Sequence, residues 1–567
     1  MIYTQKKYFR MKKPKHLNSY QMHQTHSMMV NKLSIPGGRI NKMMIVTLIM
    51  TMFLSIAAAQ HAKKSFINPI LPGFSPDPSI CRVGPDFYLV NSSFSWFPGI
   101  PIYHSRDLVN WKLIGHGLSR QKQINLDGVK DKDGIWAVTI RYSEGLFYLS
   151  GTASKSGGNF YMTAKDPAGE WSDPVWLKNA PGIDGSLFWD NKKCYYIGNR
   201  YDFKKDWPGQ CAIWIQELDL VKGELVGIPK DLTFGHANNA SNTEGAHLYK
   251  INNRYLLISA EGGTDNYHAI TSHSSNYLFG PYASDKINPV LSHRQLGSKY
   301  PIQAVGHADL VDTPNGEWWA TVLGKRFENG SALTRETFLC KIEFENGVPI
   351  FNPGYGRVLT NQERPNLPWT PYGKVATKDN FDHNQLGSEW HYLRTPPPKP
   401  PFVKLGKLRV PLIPLIPDSL GTSATMIKKI EQRKFTATAH LKFRAISNKE
   451  HAGIILYRSS NSFVILVKEI KSLNLILSEN GKRKILGTIP YFNDEVILRS
   501  CSDGTKLSFY FGSSLRNLSP IGQPLDLSFL ADNAQNRFNG PGLGVYASSN
   551  GRPSTTIATF DWFDLIH

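Results

Sequence analysis

The sequence predicts an all-β protein, a five-bladed β-propeller followed by a β-sandwich. Three observations carry this expectation. Short aromatic-rich strands recur five times between residues 66 and 351, each after a hairpin turn. From Asp379 onward, runs with a two-residue apolar period alternate with turns such as ENGK and SDGT. The 47 Gly and 36 Pro residues supply the turns that many short strands need. A length of 567 residues exceeds one ordinary domain, and 41% hydrophobic and 12% aromatic residues provide for two cores.

Residues 1–59 read as an N-terminal extension and signal peptide. The apolar stretch IVTLIMTMFLSIAAA (45–59) follows Lys42 and ends in small residues, as an export signal does. Its 15 residues fall short of the roughly 20 that span a bilayer, so a retained anchor is the weaker alternative. The expectation is export to the periplasm or beyond, with a mature chain from near Gln60 and no stable membrane insertion after processing. Met43 or Met44 would give the signal an ordinary length. The net charge of +20 includes nine Lys/Arg and no Asp/Glu in residues 1–60, leaving +11 elsewhere. Those charges are interleaved, which excludes nucleic acid as a partner. Five widely separated Cys residues suit neither a zinc site nor a disulfide framework.

Residues 60–351 form the expected propeller. The recurring strands are FYLVNSSF from Phe87, FYLSGTA from Phe147, YYIGNRY from Tyr195, YLLISAEGG from Tyr255 and WWATVLGKR from Trp318. Before them lie SICRV, VTIRY, SLFWD, AHLYK and ADLVD. After them come IPIYHS, NFYMTA, AIWIQEL, HAITSHS and TFLCKIEF, giving about four strands per unit. Eleven residues before Tyr88, Phe147, Tyr195, Tyr255 and Trp318 stand Asp77, Trp136, Asp184, Glu244 and His307. Equivalent positions at the start of innermost strands surround a propeller's axis, so these five side chains should converge on one pocket. Any one acidic residue before a strand is an ordinary turn former. Three in five equivalent places point to a site.

Three carboxylates suggest glycoside hydrolysis. An inverting glycosidase needs a carboxylate base for water and a carboxylic acid for the leaving oxygen. A third carboxylate beside the acid raises the acid's pKa and keeps it protonated near neutrality. The same trio could hold a divalent cation, but no compact DxDxDG loop is present to supply further oxygen ligands.

The segments NPILPGFSPDPSICRVG (68–84), FSWFPGIPIYHSRDLVNWKLIG (94–115), GIWAVTIRY (134–142), IDGSLFWD (183–190), NTEGAHLYKI (242–251) and VGHADLVD (305–312) resemble glycoside hydrolase family 43. The resemblance implies a β-xylosidase or α-L-arabinofuranosidase, exo-acting and inverting, on plant-type polysaccharides or oligosaccharides. It assigns Asp77 as general base, Glu244 as general acid and Asp184 as the residue that tunes and orients the acid. It also implies substrate-binding roles for Trp136, Phe94, His307 and Arg335, with Trp96 a further wall residue. Each has a structural alternative: blade packing for the aromatics, a satisfied histidine for His307, a strand-end ion pair for Arg335. No cofactor or metal ligand is implied, although a structural or activating calcium near His307 is compatible with the family. Val138, Gly185 and Ala246 replace prolines that the resemblance favours, and so are expected to reshape the pocket. A retaining fructan or sucrose hydrolase and a non-catalytic carbohydrate-binding propeller are the competing readings.

Residues 352–378 read as a turn-rich linker and 379–567 as the sandwich, resembling the domain that accompanies many family members. Such a domain can lend an aromatic residue to the site. Here GPGLGVY (540–546) offers Leu543 or Tyr546, which suggests mainly a packing role or independent sugar binding.

Overall fold

A computed structural model describes residues 64–373, 375–533 and 538–567, and the expected signal segment lies outside them. The compact body from Phe66 to His567 holds a propeller and a sandwich. Five antiparallel sheets make the blades, each built from strands consecutive in sequence except that blade 1 gives up Trp96–Phe97. Their innermost strands are Ser79–Val83, Gly134–Ser143, Ser186–Asp190, Glu244–Ile251 and Ile302–Asp312. Each innermost strand pairs with the aromatic-rich strand that follows, as the repeat predicts. The strands are buried on both faces. Ile102, Ile140 and Leu149 fill the space between blades 1 and 2, and Ile215, Leu248 and Leu257 that between blades 3 and 4. Such near-continuous apolar runs suit a sheet covered on both sides.

Among the described residues no strand is exchanged between the first and last blades to close the ring. Polar contacts do this instead. Asp309, on the innermost strand of blade 5, accepts from Ser79 Oγ (2.6 Å) and Ile80 N (3.0 Å) of blade 1. It also accepts from both terminal nitrogens of Arg141 in blade 2 (2.7 and 3.1 Å) and from the Tyr249 hydroxyl of blade 4. Asp309 is fully buried, so these donors replace the water it has lost. The lead-in to blade 1 runs along blade 5, with Asn68 exchanging hydrogen bonds with both backbone groups of Leu339 (3.0 and 2.9 Å).

The sandwich packs a nine-stranded sheet on an eight-stranded one over a core that includes Leu441, Leu466, Leu498 and Val545. The eight-stranded sheet ends on a strand that belongs to the propeller. Trp96–Phe97, in the loop of blade 1, pairs with Tyr392 and Leu393. Below this seam, Asp131 of the propeller accepts from Tyr457 Oη (2.6 Å), Ser460 Oγ (2.7 Å) and Arg394 (3.1 Å) of the sandwich. The segment read as a linker is pinned to blade 1, where Thr370 N donates to Asp107 Oδ2 (2.8 Å) and Tyr372 Oη meets His104 Nδ1 (2.7 Å).

Candidate active site

Strand register refines the expected ring. The residues two places before Ser79, Thr139, Ser186, His247 and Asp309 are equivalent by strand pairing. They are Asp77, Ala137, Asp184, Gly245 and His307, and all five have left-handed backbones, with φ of 49°, 41°, 58°, 58° and 47°. Asp77, Asp184 and His307 therefore stand where the repeat puts them. Trp136 and Glu244 come one residue earlier than the true ring position. The cause lies in the anchors: Phe147 and Tyr255 pair one step nearer their hairpin turns than Tyr88 and Tyr195 do. Gly245 is required in its place, since its φ is positive and a Cβ would come within 2.9 Å of His307 Nε2.

Asp77 is buried and firmly held. Its Oδ1 accepts from Arg335 Nη1 (2.8 Å) and its Oδ2 from Ser92 Oγ (2.7 Å), while His307 Nδ1 stands 3.7 Å away. Burial raises its pKa, but Arg335, His307, Ser92 and His268 together outweigh it, and the carboxyl is held below its ordinary value. Asp77 is a carboxylate at neutral pH. Ser92 Oγ also accepts from Ala137 N (2.7 Å), tying the base to the left-handed residue of blade 2.

Glu244 and Asp184 are both buried carboxyl groups shifted upward. Burial and then the charge of Asp77 push Glu244 up to about 7, against a smaller opposing effect of Arg335. Burial, Glu244 and Asp77 raise Asp184 well above its ordinary value. Gly245 N donates to Asp184 Oδ2 (3.1 Å), a bond that favours the charged form but does not outweigh burial and the two neighbouring carboxyls. Both Glu244 and Asp184 are thus biased toward their protonated forms beside a charged Asp77. The arrangement provides a proton acceptor and a proton donor in one buried space.

The walls are aromatic. Phe94 is 2% exposed and contacts Trp136, with ring centroids 6.4 Å apart. Trp136 is fixed by its indole N–H, which donates to Lys132 O (3.0 Å). Arg335 lies between two rings, 5.0 Å from Phe94 and 5.2 Å from Phe538. It also donates to Phe538 O (3.2 Å). Phe538 comes from the sandwich and stacks on Phe94 at 6.2 Å. This corrects the expectation for the second domain: Leu543 and Tyr546 are wholly buried in the sandwich, and Phe538, just ahead of that stretch, reaches the site. Trp96 does not. It packs against Phe74 and His391 at the seam between the domains.

The proline replacements also have local causes. A Cβ on Gly185 would fall 2.3 Å from the Tyr196 hydroxyl, so Gly185 makes room for a tyrosine beside Asp184. Val138 and Ala246 face the packing between blades, each 1% exposed, and leave the pocket untouched. Around His307 the protein offers the imidazoles of His247 and His268, the cation of Arg335 and one carboxylate, that of Asp77. Calcium takes six to eight oxygens, so this nitrogen-rich surrounding fits it poorly. Among the described residues no group of three or more His, Cys, Asp or Glu side chains could hold a metal ion. Burial lowers the pKa of His307, which is neutral in this setting.

The model of glycosyl hydrolases family 43 matches residues 66–349, and that of the β-xylosidase C-terminal concanavalin A-like domain matches 378–565. A xylosidase/arabinosidase of Butyrivibrio fibrisolvens is 38% identical over 88% of this chain and 98% of its own. A non-reducing end α-L-arabinofuranosidase of Bacteroides ovatus is 34% identical over 90% of this chain and 96% of its own. The crystal structure of a xylan β-1,4-xylosidase from Bacillus halodurans superposes with a TM-score of 0.83 at 31% identity, covering 88% of this chain and all of the other. The chain belongs to glycosyl hydrolase family 43 and is a glycoside hydrolase.

Proposed function

We propose that this family 43 enzyme removes terminal xylose or arabinofuranose units from plant-type polysaccharides or oligosaccharides with inversion at the anomeric carbon. The observation that carries the reading is the ring of strand starts that brings Asp77, bonded to Arg335 and Ser92, together with Asp184 and Glu244. Asp77 is held charged by Arg335 and Ser92. Glu244 is pushed up to about 7 by burial and by Asp77. In the reaction Asp77 takes a proton from water, whose oxygen forms the new bond to the anomeric carbon. Glu244 gives its proton to the departing glycosidic oxygen as the old bond breaks. Burial and the charge of Asp77 keep Glu244 protonated, and Asp184 adds to this whenever it is ionised. Trp136, Phe94 and Phe538 supply an apolar wall to a sugar face, and Arg335 positions Asp77. The printed activities of the relatives support a pentose at the chain end, and the wall contributed by Phe538 favours entry of a single terminal unit.

Release of nitrophenol from aryl β-xyloside and aryl α-L-arabinofuranoside tests the substrate class. Proton NMR of the first-formed sugar tests the stereochemistry, and a retained anomer overturns the roles of Asp77 and Glu244. The chemistry uses only protons of side chains and water, so chelation by EDTA is expected to leave turnover intact. The apolar stretch 45–59 supports export, which N-terminal sequencing of the cell-processed protein checks by a start near Gln60.

A further inference from the structure

In each blade the innermost strand leaves the ring and the second strand returns to it. The loops after the second strands of blades 3 and 4, residues 201–211 and 262–268, therefore stand at the same rim as Glu244. Both converge on Asn242, two residues before the acid. Asn242 N donates to Gly209 O (2.8 Å), and Gly262 N donates to Ser241 O (2.7 Å). The Asn242 side-chain oxygen lies 3.8 Å from where a Cβ would stand on Gly209, and 3.8 Å from that of Gly263. The exposed Asn242 amide thus stands between the two loops, beside Gly209 and Gly263.

Both loops carry aromatic residues. Tyr267 is 71% exposed on the blade 4 loop. Trp207, on the blade 3 loop, is half-buried and fixed by its indole N–H, which donates to Ala240 O (2.6 Å). Cys211, at the end of the same loop, lies near enough to Glu244 to feel its charge, which confirms how close this loop comes to the acid.

We propose that Asn242, Trp207 and Tyr267 form the subsite for the sugar on the leaving-group side of the cleaved bond. The inference rests on the function proposed above and adds residues for the second sugar ring. Glu244 must reach the glycosidic oxygen, so the departing ring lies immediately beyond it. A sugar ring presents C–H faces to aromatic platforms and hydroxyls to an amide that both donates and accepts. The two loops offer both, and Asn242 stands two residues before Glu244.

The test uses the full chain and compares a disaccharide with an aryl glycoside of the same terminal sugar. In Trp207→Ala and Asn242→Ala, kcat/KM on the disaccharide is expected to fall about tenfold relative to that on the aryl glycoside, mainly through KM. Tyr277→Ala is the control. Tyr277 is 70% exposed but lies past the third strand of blade 4, at the opposite end, and its loss should move neither value. Equal losses on both substrates, or none, overturn the subsite. A wild-type chain inactive on every glycoside overturns the functional reading, whereas an active one with an unchanged ratio overturns the subsite alone.

Discussion

Replacing Arg335 by Met should move both limbs of the pH–rate profile toward alkali. Arg335 is buried and its Nη1 stands 2.8 Å from Asp77 Oδ1. An opposite charge at such range lowers a carboxyl by roughly 1–3 units, each worth about 1.4 kcal/mol. Without it, Asp77 keeps Ser92 and a neutral His307 as partners, and burial dominates. Its pKa should rise by about 2 units, or about 3 kcal/mol. Glu244 loses an opposing charge as well, and should rise from about 7. The base must be ionised and the acid protonated, so the acidic and alkaline limbs of kcat/KM both shift upward. Absolute activity will also fall if the guanidinium touches sugar, but the positions of the limbs do not depend on that loss. Stability gives an independent reading. In the wild type, the depressed pKa of Asp77 contributes stability present above its unfolded pKa and lost as pH falls through the folded value. In the variant that pKa is raised, so stability is lost as pH rises. The gap in melting temperature between the two proteins should therefore widen from pH 4 to pH 7. A folded variant whose acidic limb stays in place would refute this account of how Asp77 is kept charged.

Asp77→Ala should lower turnover by ~10²–10⁴-fold on every substrate, whatever its leaving group, because water activation is needed each time. Near wild-type rates in the folded variant would remove Asp77 from the mechanism. Glu244→Ala should lose most activity on sugar leaving groups and much less on acidic phenols, which need little protonation; uniform loss across a leaving-group series would exchange its role with that of Asp184. An ionised Asp184 favours the protonated form of Glu244, so Asp184→Asn should move the alkaline limb to lower pH. An unmoved limb would show that Asp184 is neutral while Glu244 titrates.

The blades were legible because each second strand is aromatic-rich and sits behind a short turn, a pattern local enough to read from one chain. Equivalent positions in that pattern located Asp77, Asp184 and His307, and came within one residue for Glu244 and Trp136. The one-residue error reflects what an aromatic anchor cannot show: whether Phe147 stands above or below its counterpart relative to the turn is a property of pairing. Ser92, Asp309 and Phe538 were missed for a different reason. Ser92 is one small polar residue just past a strand, and its bond to Asp77 spans 15 positions. Asp309 follows an alternation that serves any strand, and its meaning arises only when blades 1, 2 and 4 bring donors to it. Phe538 reaches the site because the sandwich docks there, and a stretch without apolar periodicity gives no sign of docking.

The left-handed ring connects these contacts to the chemistry. A non-glycine residue in that conformation costs on the order of 1–3 kcal/mol and persists only where its surroundings hold it. Four of the five ring residues, Asp77, Ala137, Asp184 and His307, are not glycine. Ser92 holds two of them together, accepting from Ala137 N and donating to Asp77. Thr152 accepts from Asp184 N (3.1 Å), and Gly245 N reaches Asp184 Oδ2. Two residues further along the strands, Ser79 and Asp309 bond to one another and fix blade 1 against blade 5. The hydrogen bonds that orient the base and the tuning carboxylate are thus among those that hold the strained backbone in place. Ser92→Ala should consequently act twice, freeing one oxygen of Asp77 and leaving Ala137 N without its acceptor. Its signature would be an acidic limb shifted upward together with a lower melting temperature at pH 7. A shift in the limb with no loss of stability would show that Ser92 serves the carboxylate alone, and that the ring backbone is held by other contacts.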